Sequence, residues 1–150
     1  MNLEVAAKTA LHRKGPSAPL LLLLEQHAVI GRVLDYGCGH GADVEYLKEL
    51  GFPAVGYDPK WAPVLPTGRI DTVLCTYVLN VLPKWKADEV AREARKWLKF
   101  NSAGSTLNRR VFFTTRTDVE DSASQRDVRS VPRTKVFARG SGFIIWCYAS

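Results

Sequence analysis

The spacing of apolar and polar residues divides most of the chain into alternating strands and helices. Short apolar runs predict strands at Arg32–Tyr36, Pro53–Tyr57, Thr72–Thr76 and Val111–Thr115. Apolar residues at helical spacing predict helices at about 18–29, 42–50 and 84–99. Strands that alternate with helices are typical of an α/β domain built on a parallel sheet.

The C-terminal part follows a different pattern. Residues 116–130 are polar and charged, which predicts a loop or a mobile lid. Two further strands are predicted at 134–139 and 143–148, and the Gly-Ser-Gly at 140–142 suits a hairpin between them. With 150 residues and no internal repeat, we expect a single domain over 1–150.

The stretch Val33–Gly41 carries the strongest chemical signal in the chain. An apolar strand reaches Asp35, and glycines follow at 37, 39 and 41 before a helix. This arrangement lets a backbone approach a nucleotide-like ligand closely, and it also fits the dinucleotide fingerprint. A pyrophosphate beside the Asp35 carboxylate would meet a repulsion of about 4 kcal/mol at roughly 4 Å and an effective dielectric near 20. A cationic ligand, such as S-adenosylmethionine with its ammonium and sulfonium, would be favoured instead.

A second acidic residue ends the second predicted strand. Asp58 follows the glycines by about 20 residues, the position at which an acid usually binds ribose hydroxyls. The alternative is that Asp58 only forms the turn before Pro59.

These segments together resemble the class I S-adenosylmethionine-dependent methyltransferases. Val33–Gly41 resembles their first motif, Gly56–Pro59 their second acidic site, and Asp71–Pro83 their fourth strand and the turn after it. The resemblance extends from Lys8 to about Phe100, and it is strongest to small phage and bacterial methyltransferases associated with DNA modification. It implies a reduced Rossmann-like sheet, mostly parallel, with the last strand antiparallel.

The resemblance implies S-adenosylmethionine as the cofactor and places residues 1–19 as a leader over its pocket. A loose basic tail is the alternative for that leader. The motifs and the resemblance together nominate these cofactor-binding residues: Lys8, Thr9, Arg13, Asp35, Tyr36, Gly37, Cys38, Gly39, Gly41, Asp58, Pro59, Trp61, Thr76 and Tyr77.

The chain departs from this family between its second and fourth strands. Pro59–Ile70 is short and holds three prolines, so it cannot form a helix and a strand. We therefore expect the family's third strand to be shortened or missing. Trp61 could stack on the adenine in place of the usual acid, or it could simply pack against the sheet edge.

The end of the strand Thr72–Thr76 supplies the catalytic candidates. Thr76, Tyr77 and Asn80 are expected to project towards the crevice between neighbouring strand ends. We nominate Tyr77 and Asn80 as catalytic or substrate-contacting residues; packing of Tyr77 and helix capping by Asn80 are the alternatives. No general base can be assigned, and His40 is expected to face solvent.

Charge and composition bear on partners. The formal net charge is +6, with residues 31–83 net acidic and residues 84–150 net basic. The basic second half makes nucleic acid a possible partner, and a solvated surface is the alternative. The three cysteines lack metal-ligand spacing, so we expect no metal and a reducing, cytoplasmic location. The Leu20–Leu24 run is too short for a membrane span, which needs ~20 apolar residues, so no membrane association is expected.

Three functional hypotheses follow. The first is an S-adenosylmethionine-dependent methyltransferase whose acceptor is unknown and possibly nucleic acid or a nucleotide. The second is a non-catalytic S-adenosylmethionine-binding protein or subunit, motivated by the shortened sheet. An NAD-dependent oxidoreductase is disfavoured by Asp35 and by the lack of a substrate domain. The Pro-Pro motif of amino-methylating DNA enzymes is absent after Thr76.

Overall fold

A computed structural model describes residues 13–98, 109–118 and 133–149. Within these ranges the elements in chain order are α1 (Ala18–Glu25), β1 (Val33–Tyr36), α2 (Ala42–Glu49), β2 (Ala54–Tyr57), β3 (Thr72–Thr76), a 3₁₀ helix (Leu79–Val81), α3 (Lys84–Lys96), β4 (Arg110–Arg116), β5 (Thr134–Gly140) and β6 (Phe143–Ala149). Residues 1–12 and most of the predicted lid, from 119 to 130, lie outside the described residues.

The strands form one sheet in the order β2-β1-β3-β4-β6-β5. The four strands β1 to β4 are parallel, whereas β6 runs antiparallel to both of its neighbours. This confirms the predicted α/β sheet, mostly parallel, whose last strand is antiparallel. The chain changes direction across the sheet between β1 and β3, and ligands of open α/β sheets bind beside such a point.

Helices cover both faces of the sheet. Alternating side chains of the central strands point to opposite faces, as the strand period requires. On one face Val33, Leu74 and Phe112 pack with Leu20 of α1 and Leu47 of α2. On the other face a second cluster holds α3 against the sheet, and it comprises Leu34, Val73, Cys75, Val111 and Phe113 with Ala87, Val90, Ala91 and Ala94.

Two predicted helix ends were wrong. The first helix ends at Glu25 rather than 29, because His27 adopts a left-handed φ of 53° and the backbone N–H groups of His27 and Ala28 bond back to Leu24 and Leu23. Glycine usually supplies this left-handed conformation at the end of a helix. Here histidine supplies it, so the sequence held no glycine to mark the helix end. The helix beginning at Lys84 ends at Lys96, three residues earlier than expected.

The prediction of a missing third strand is confirmed. Between Asp58 and Asp71 the chain forms no strand and makes a single isolated bridge between Asp58 and Ala62. As a result β2 is an edge strand among the described residues. No described helix has the length and apolar character needed to cross a membrane.

Candidate active site

A cavity of about 580 Å³ opens at the carboxyl ends of the parallel strands. Its lining comes from the turns after β1 and β2, the ends of β3 and β4, and the segment that leads into α1. The lining residues include Arg13, Ser17, Asp35, Gly37, Cys38, Gly39, His40, Gly41, Asp43, Asp58, Pro59, Thr76, Tyr77, Val78, Asn80, Val81, Leu82, Arg116 and Asp118.

The glycine turn forms the floor of this cavity. The backbone N–H groups of Gly37 and Cys38 donate to the carbonyl oxygen of Tyr57 at 2.7 and 2.9 Å, which ties the turn to β2. Gly37 has a φ of 90°, and a Cβ there would collide with the side chain of Val78. Glycine is therefore required at position 37 both by conformation and by the close approach of the segment after β3.

Asp35 lies almost fully buried at the end of β1, with 4% of its surface exposed. Burial is the main cause that raises the pKa of its carboxyl to about 8; the nearby Asp43 and Asp58 add to the rise, and Arg13 opposes it. Burial therefore favours the protonated form of this carboxyl near neutral pH. A cationic group bound beside Asp35 would favour the ionised form of the carboxyl.

Asp58 forms the turn that the sequence offered as one alternative, and it also lines the cavity. One carboxylate oxygen accepts from the backbone N–H groups of Lys60 and Trp61 at 2.9 and 3.1 Å, which forms the turn. The other accepts from the N–H of Gly39 at 3.1 Å and so links the turn after β2 to the glycine turn. That second oxygen retains acceptor capacity beside the cavity.

Asp43 joins the site from the first turn of α2 and is 3% exposed. Its two carboxylate oxygens accept from the backbone N–H and the hydroxyl of Ser17, at 2.6 and 2.7 Å. The sequence gives no signal for this contact, since Ser17 lies 26 residues away and no local pattern pairs the two.

Thr76, Tyr77 and Asn80 all line the cavity where β3 ends. Tyr77 has a left-handed φ of 60° and donates its backbone N–H to Thr114 at 2.9 Å. Burial raises the pKa of its hydroxyl, so Tyr77 can donate a hydrogen bond but is no base near neutral pH. Asn80 is buried, and its side-chain oxygen has no hydrogen-bond partner among the described residues.

Arg116 and Asp118 extend the site at the end of β4. Their side chains form a two-point ion pair, with nitrogen–oxygen distances of 2.9 and 3.0 Å. The pair holds the pKa of Asp118 below its usual range. The sequence signal that could have found them is their position at the carboxyl end of a parallel strand, but the boundary at 116 assigned them to a loop.

Four nominated residues fall outside this cavity or outside the described residues. The ring of Tyr36 packs against Tyr57 at 5.1 Å and does not line the cavity. Trp61 lines a neighbouring, more open cavity of about 260 Å³ that shares Cys38, Gly39, His40 and Gly41 with the first. The centre of the Trp61 ring lies 4.2 Å from that of the His40 ring, so His40 packs against Trp61 and does not simply face solvent as expected. Lys8 and Thr9 lie outside the described residues.

The described part of the chain holds no group of three side chains placed to bind a metal ion.

A glycine turn and two acids lie beside the switch point of the parallel sheet, as the resemblance to class I methyltransferases predicted. Residues 9–129 match the family described as a methyltransferase domain. The chain belongs to this methyltransferase domain family. The predicted class is therefore confirmed at the level of the family.

Known proteins add relatives of two kinds. The chain is 44% identical over 55 residues to a 2-heptyl-1-hydroxyquinolin-4(1H)-one methyltransferase of Mycobacteroides abscessus. The match covers 37% of this chain and spans about a quarter (24%) of that enzyme's length.

Solved structures share the fold at low sequence identity. The magnesium protoporphyrin IX methyltransferase ChlM from Synechocystis PCC 6803, solved with bound SAM, superposes with a TM-score of 0.57 at 16% identity, over 88% of this chain and 76% of the other. The N-methyltransferase NodS from Bradyrhizobium japonicum WM9, in complex with S-adenosyl-L-homocysteine, gives 0.58 at 10% identity, over 100% and 99%. Both confirm the fold predicted from the sequence.

Proposed function

We propose that this chain binds S-adenosylmethionine in the 580 Å³ cavity and transfers its methyl group to an acceptor that enters beside the end of β3. The observation that carries the proposal is the convergence of Asp35, Asp58 and the glycine turn on one cavity at the carboxyl edge of the sheet. Family membership supports the same activity.

The residues fit this cofactor on chemical grounds. Asp35 offers a buried carboxyl that can pair with an ammonium group once its proton has left. Asp58 offers an oxygen for ribose hydroxyls, and it is held in place by three backbone N–H groups. The cavity volume lies within the range of about 300–1,000 Å³ that small-molecule sites occupy.

The sulfonium supplies an already activated methyl group, so the chain has to align an acceptor and exclude water. We assign acceptor positioning to Tyr77 and Asn80. The hydroxyl of Tyr77 stays protonated and can donate a hydrogen bond. The side-chain oxygen of Asn80 has no partner among the described residues, so it can accept a hydrogen bond from an N–H or O–H group of the methyl acceptor. Val78, Val81 and Leu82 add apolar walls beside them.

Titration calorimetry with S-adenosylhomocysteine tests the binding step. We expect saturable binding, and replacement of Asp58 by Ala should weaken it by about 1–3 kcal/mol, the scale of a lost hydrogen bond to a charged group. Glu49→Gln, a charge change on the exposed end of α2 and away from the cavity, is the control and should bind normally. Absence of any heat at high protein concentration would remove the proposal.

Transfer of a labelled methyl group tests the enzyme against the non-catalytic alternative. Label should appear in one of three fractions offered separately: hydroxylated heteroaromatic compounds, nucleotides, or mixed DNA and RNA. The first fraction is suggested by the quinolone substrate named for the mycobacterial relative, and the others by the resemblance to DNA-modification methyltransferases. Tyr77→Phe should bind S-adenosylhomocysteine normally and transfer more slowly. Tight binding with no label in any fraction would instead support a non-catalytic binding protein.

A further inference from the structure

The segment of residues 13–17 runs along the cavity and is attached to α2 at its C-terminal end. Arg13, Pro16 and Ser17 line the cavity, and the guanidinium carbon of Arg13 lies 5.7 Å from the centre of the Tyr77 ring, on the side of β3. At its other end the segment is attached to α2 through Ser17 and Asp43. The segment therefore reaches from Asp43 of α2 to the ring of Tyr77, on the side proposed for the acceptor.

The attachment uses every donor that Ser17 has. Its backbone N–H and its hydroxyl both donate to the Asp43 carboxylate, at 2.6 and 2.7 Å. The same hydroxyl oxygen accepts from the N–H of Leu20 at 3.3 Å and so caps α1. Ser17 and Asp43 are 4% and 3% exposed, so water does not compete for these bonds. Two buried hydrogen bonds to a carboxylate are among the stronger contacts that a side chain makes.

Asp43 is well placed to hold this charge. It sits in the first turn of α2, where the helix dipole favours an anion. The residue before the helix, Gly41, has no side chain to cap it, and the Asp43 carboxylate instead bonds to Ser17. Both Asp43 and Arg13 also act on Asp35, the first raising the pKa of its carboxyl and the second lowering it. The charges of Asp43 and Arg13 therefore act on the carboxyl of Asp35, the acid proposed to bind the cofactor.

We propose that Asp43 is a positioning residue that fastens the segment 13–17 across the cavity through Ser17, and that breaking this attachment is required for the cofactor to leave. This inference rests on the proposed function for the identity of the ligand. Asp43 itself need not touch the cofactor. Its action passes through Ser17 to Arg13, which lies against Tyr77.

The test uses two variants of graded effect. Asp43→Asn keeps one acceptor oxygen and can retain one of the two bonds, whereas Asp43→Ala loses both. We expect S-adenosylhomocysteine to dissociate faster in the order wild type, Asn, Ala, with about a 10- to 100-fold change for Ala, and with an association rate that is not reduced. A merely structural defect would lower the association rate and the melting temperature instead. Glu49→Gln removes the same charge elsewhere on α2 and is the matched control.

Limited digestion with trypsin gives a readout that does not depend on transfer. The bonds after Arg13 and Lys14 lie within the proposed segment and are suitable cleavage sites. In the wild type we expect slow cleavage that S-adenosylhomocysteine slows further, and in Asp43→Ala faster cleavage with little protection.

The outcomes separate the two proposals. Equal cleavage and dissociation rates in the wild type and in Asp43→Ala, with the melting temperature retained, would overturn the role of Asp43. If the wild type binds no S-adenosylhomocysteine and Asp43→Ala is nonetheless cleaved faster, the attachment is supported and the proposed ligand is wrong. Faster dissociation in Glu49→Gln as well would overturn the specific role of Asp43.

Discussion

At the scale of single residues, two opposing effects set the charge of Asp35: a nearby cation favours the ionised carboxylate, and burial favours the protonated carboxyl. Its position at the end of β1 suits a cation, but burial raises the pKa of its carboxyl to about 8. A carboxyl that is neutral when the cavity is empty costs the fold less than a buried unpaired charge would. The charge then forms only when a cation arrives to compensate it.

This coupling makes cofactor affinity depend on pH. Below pH 8 the carboxyl must release a proton before it can pair with a cation, at a cost of about 1.4 kcal/mol for each unit of pH. We therefore expect the affinity for S-adenosylmethionine to rise by up to about tenfold per unit between pH 6 and pH 8 and to level off above. Calorimetry in buffers of different ionisation enthalpy should detect the released proton. In Asp35→Asn binding should be weaker and lose this rise; an equally steep rise in that variant would assign the proton to another group.

Tyr77 shows backbone strain at the proposed acceptor side. Its φ of 60° is unusual for a residue with a bulky side chain, and such a conformation costs about 1–3 kcal/mol unless the surroundings enforce it. Here β3 ends at Thr76, and the backbone bond from Tyr77 to Thr114 holds the turn.

The strain predicts an inverted order of stability between two variants. Tyr77→Ala and Tyr77→Gly both lose the ring, but only glycine relaxes at positive φ. We expect the glycine variant to be more stable than the alanine variant by about 1 kcal/mol in urea denaturation, opposite to the usual order within a strand or helix. An alanine variant at least as stable as the glycine variant would show that position 77 is not strained.

At the scale of elements, the glycine turn works through its packing on the segment after β3. Gly37 has no room for a Cβ because Val78 fills that space. The loop proposed to bind the cofactor and the loop proposed to bind the acceptor are therefore in direct contact. A change in one is expected to move the other.

Gly37→Ala tests this contact. The added methyl group must displace Val78, and the alanine backbone must adopt a φ near 90°. We therefore expect the free energy of unfolding to fall by about 2–4 kcal/mol and S-adenosylhomocysteine to bind much more weakly. The double variant Gly37→Ala with Val78→Ala should recover part of this loss, because it removes the collision and leaves only the backbone strain. No recovery in chemical denaturation would mean that backbone strain alone accounts for the loss.

At the scale of the whole molecule, much of the basic charge is already paired. On α3 the lysines Lys84, Lys86 and Lys96 form ion pairs with Asp88, Glu89 and Glu93. The edge strand β5 and the residue before it instead expose Arg133, Lys135 and Arg139. A basic edge strand can bind phosphates, and it also discourages strands of other molecules from pairing there.

We therefore propose that nucleic acid binds along β5, at the exposed Arg133, Lys135 and Arg139. We expect a mixed-sequence single-stranded oligonucleotide to bind in fluorescence anisotropy, with an affinity that falls as salt rises. The double variant Lys135→Glu with Arg139→Glu should weaken binding and reduce the salt dependence by about one ion per lost phosphate contact. No binding at about 50 mM salt would leave protection of the sheet edge as the role of these charges.

The sequence alone was sufficient for the class of fold and for most of the cavity floor. Apolar periodicity located the described strands to within a residue or so, most directly the central ones, because a strand buried on both faces must be apolar throughout. Glycines, prolines and acids at strand ends mark positions that few other residues can fill, and they predicted the missing third strand as well as the lining role of Asp35 and Asp58.

Only the tertiary structure decided what depends on contacts between distant segments. The bonds between Ser17 and Asp43, the place of Arg116 and Asp118 at the cavity, and the separation of Tyr36 from it all join or divide residues that no local pattern relates. The raised pKa of the Asp35 carboxyl belongs to the same group, since desolvation depends on everything packed around a side chain. Sequence patterns report the preferences of neighbouring residues along the chain, whereas burial and long-range pairing exist only once the chain has folded.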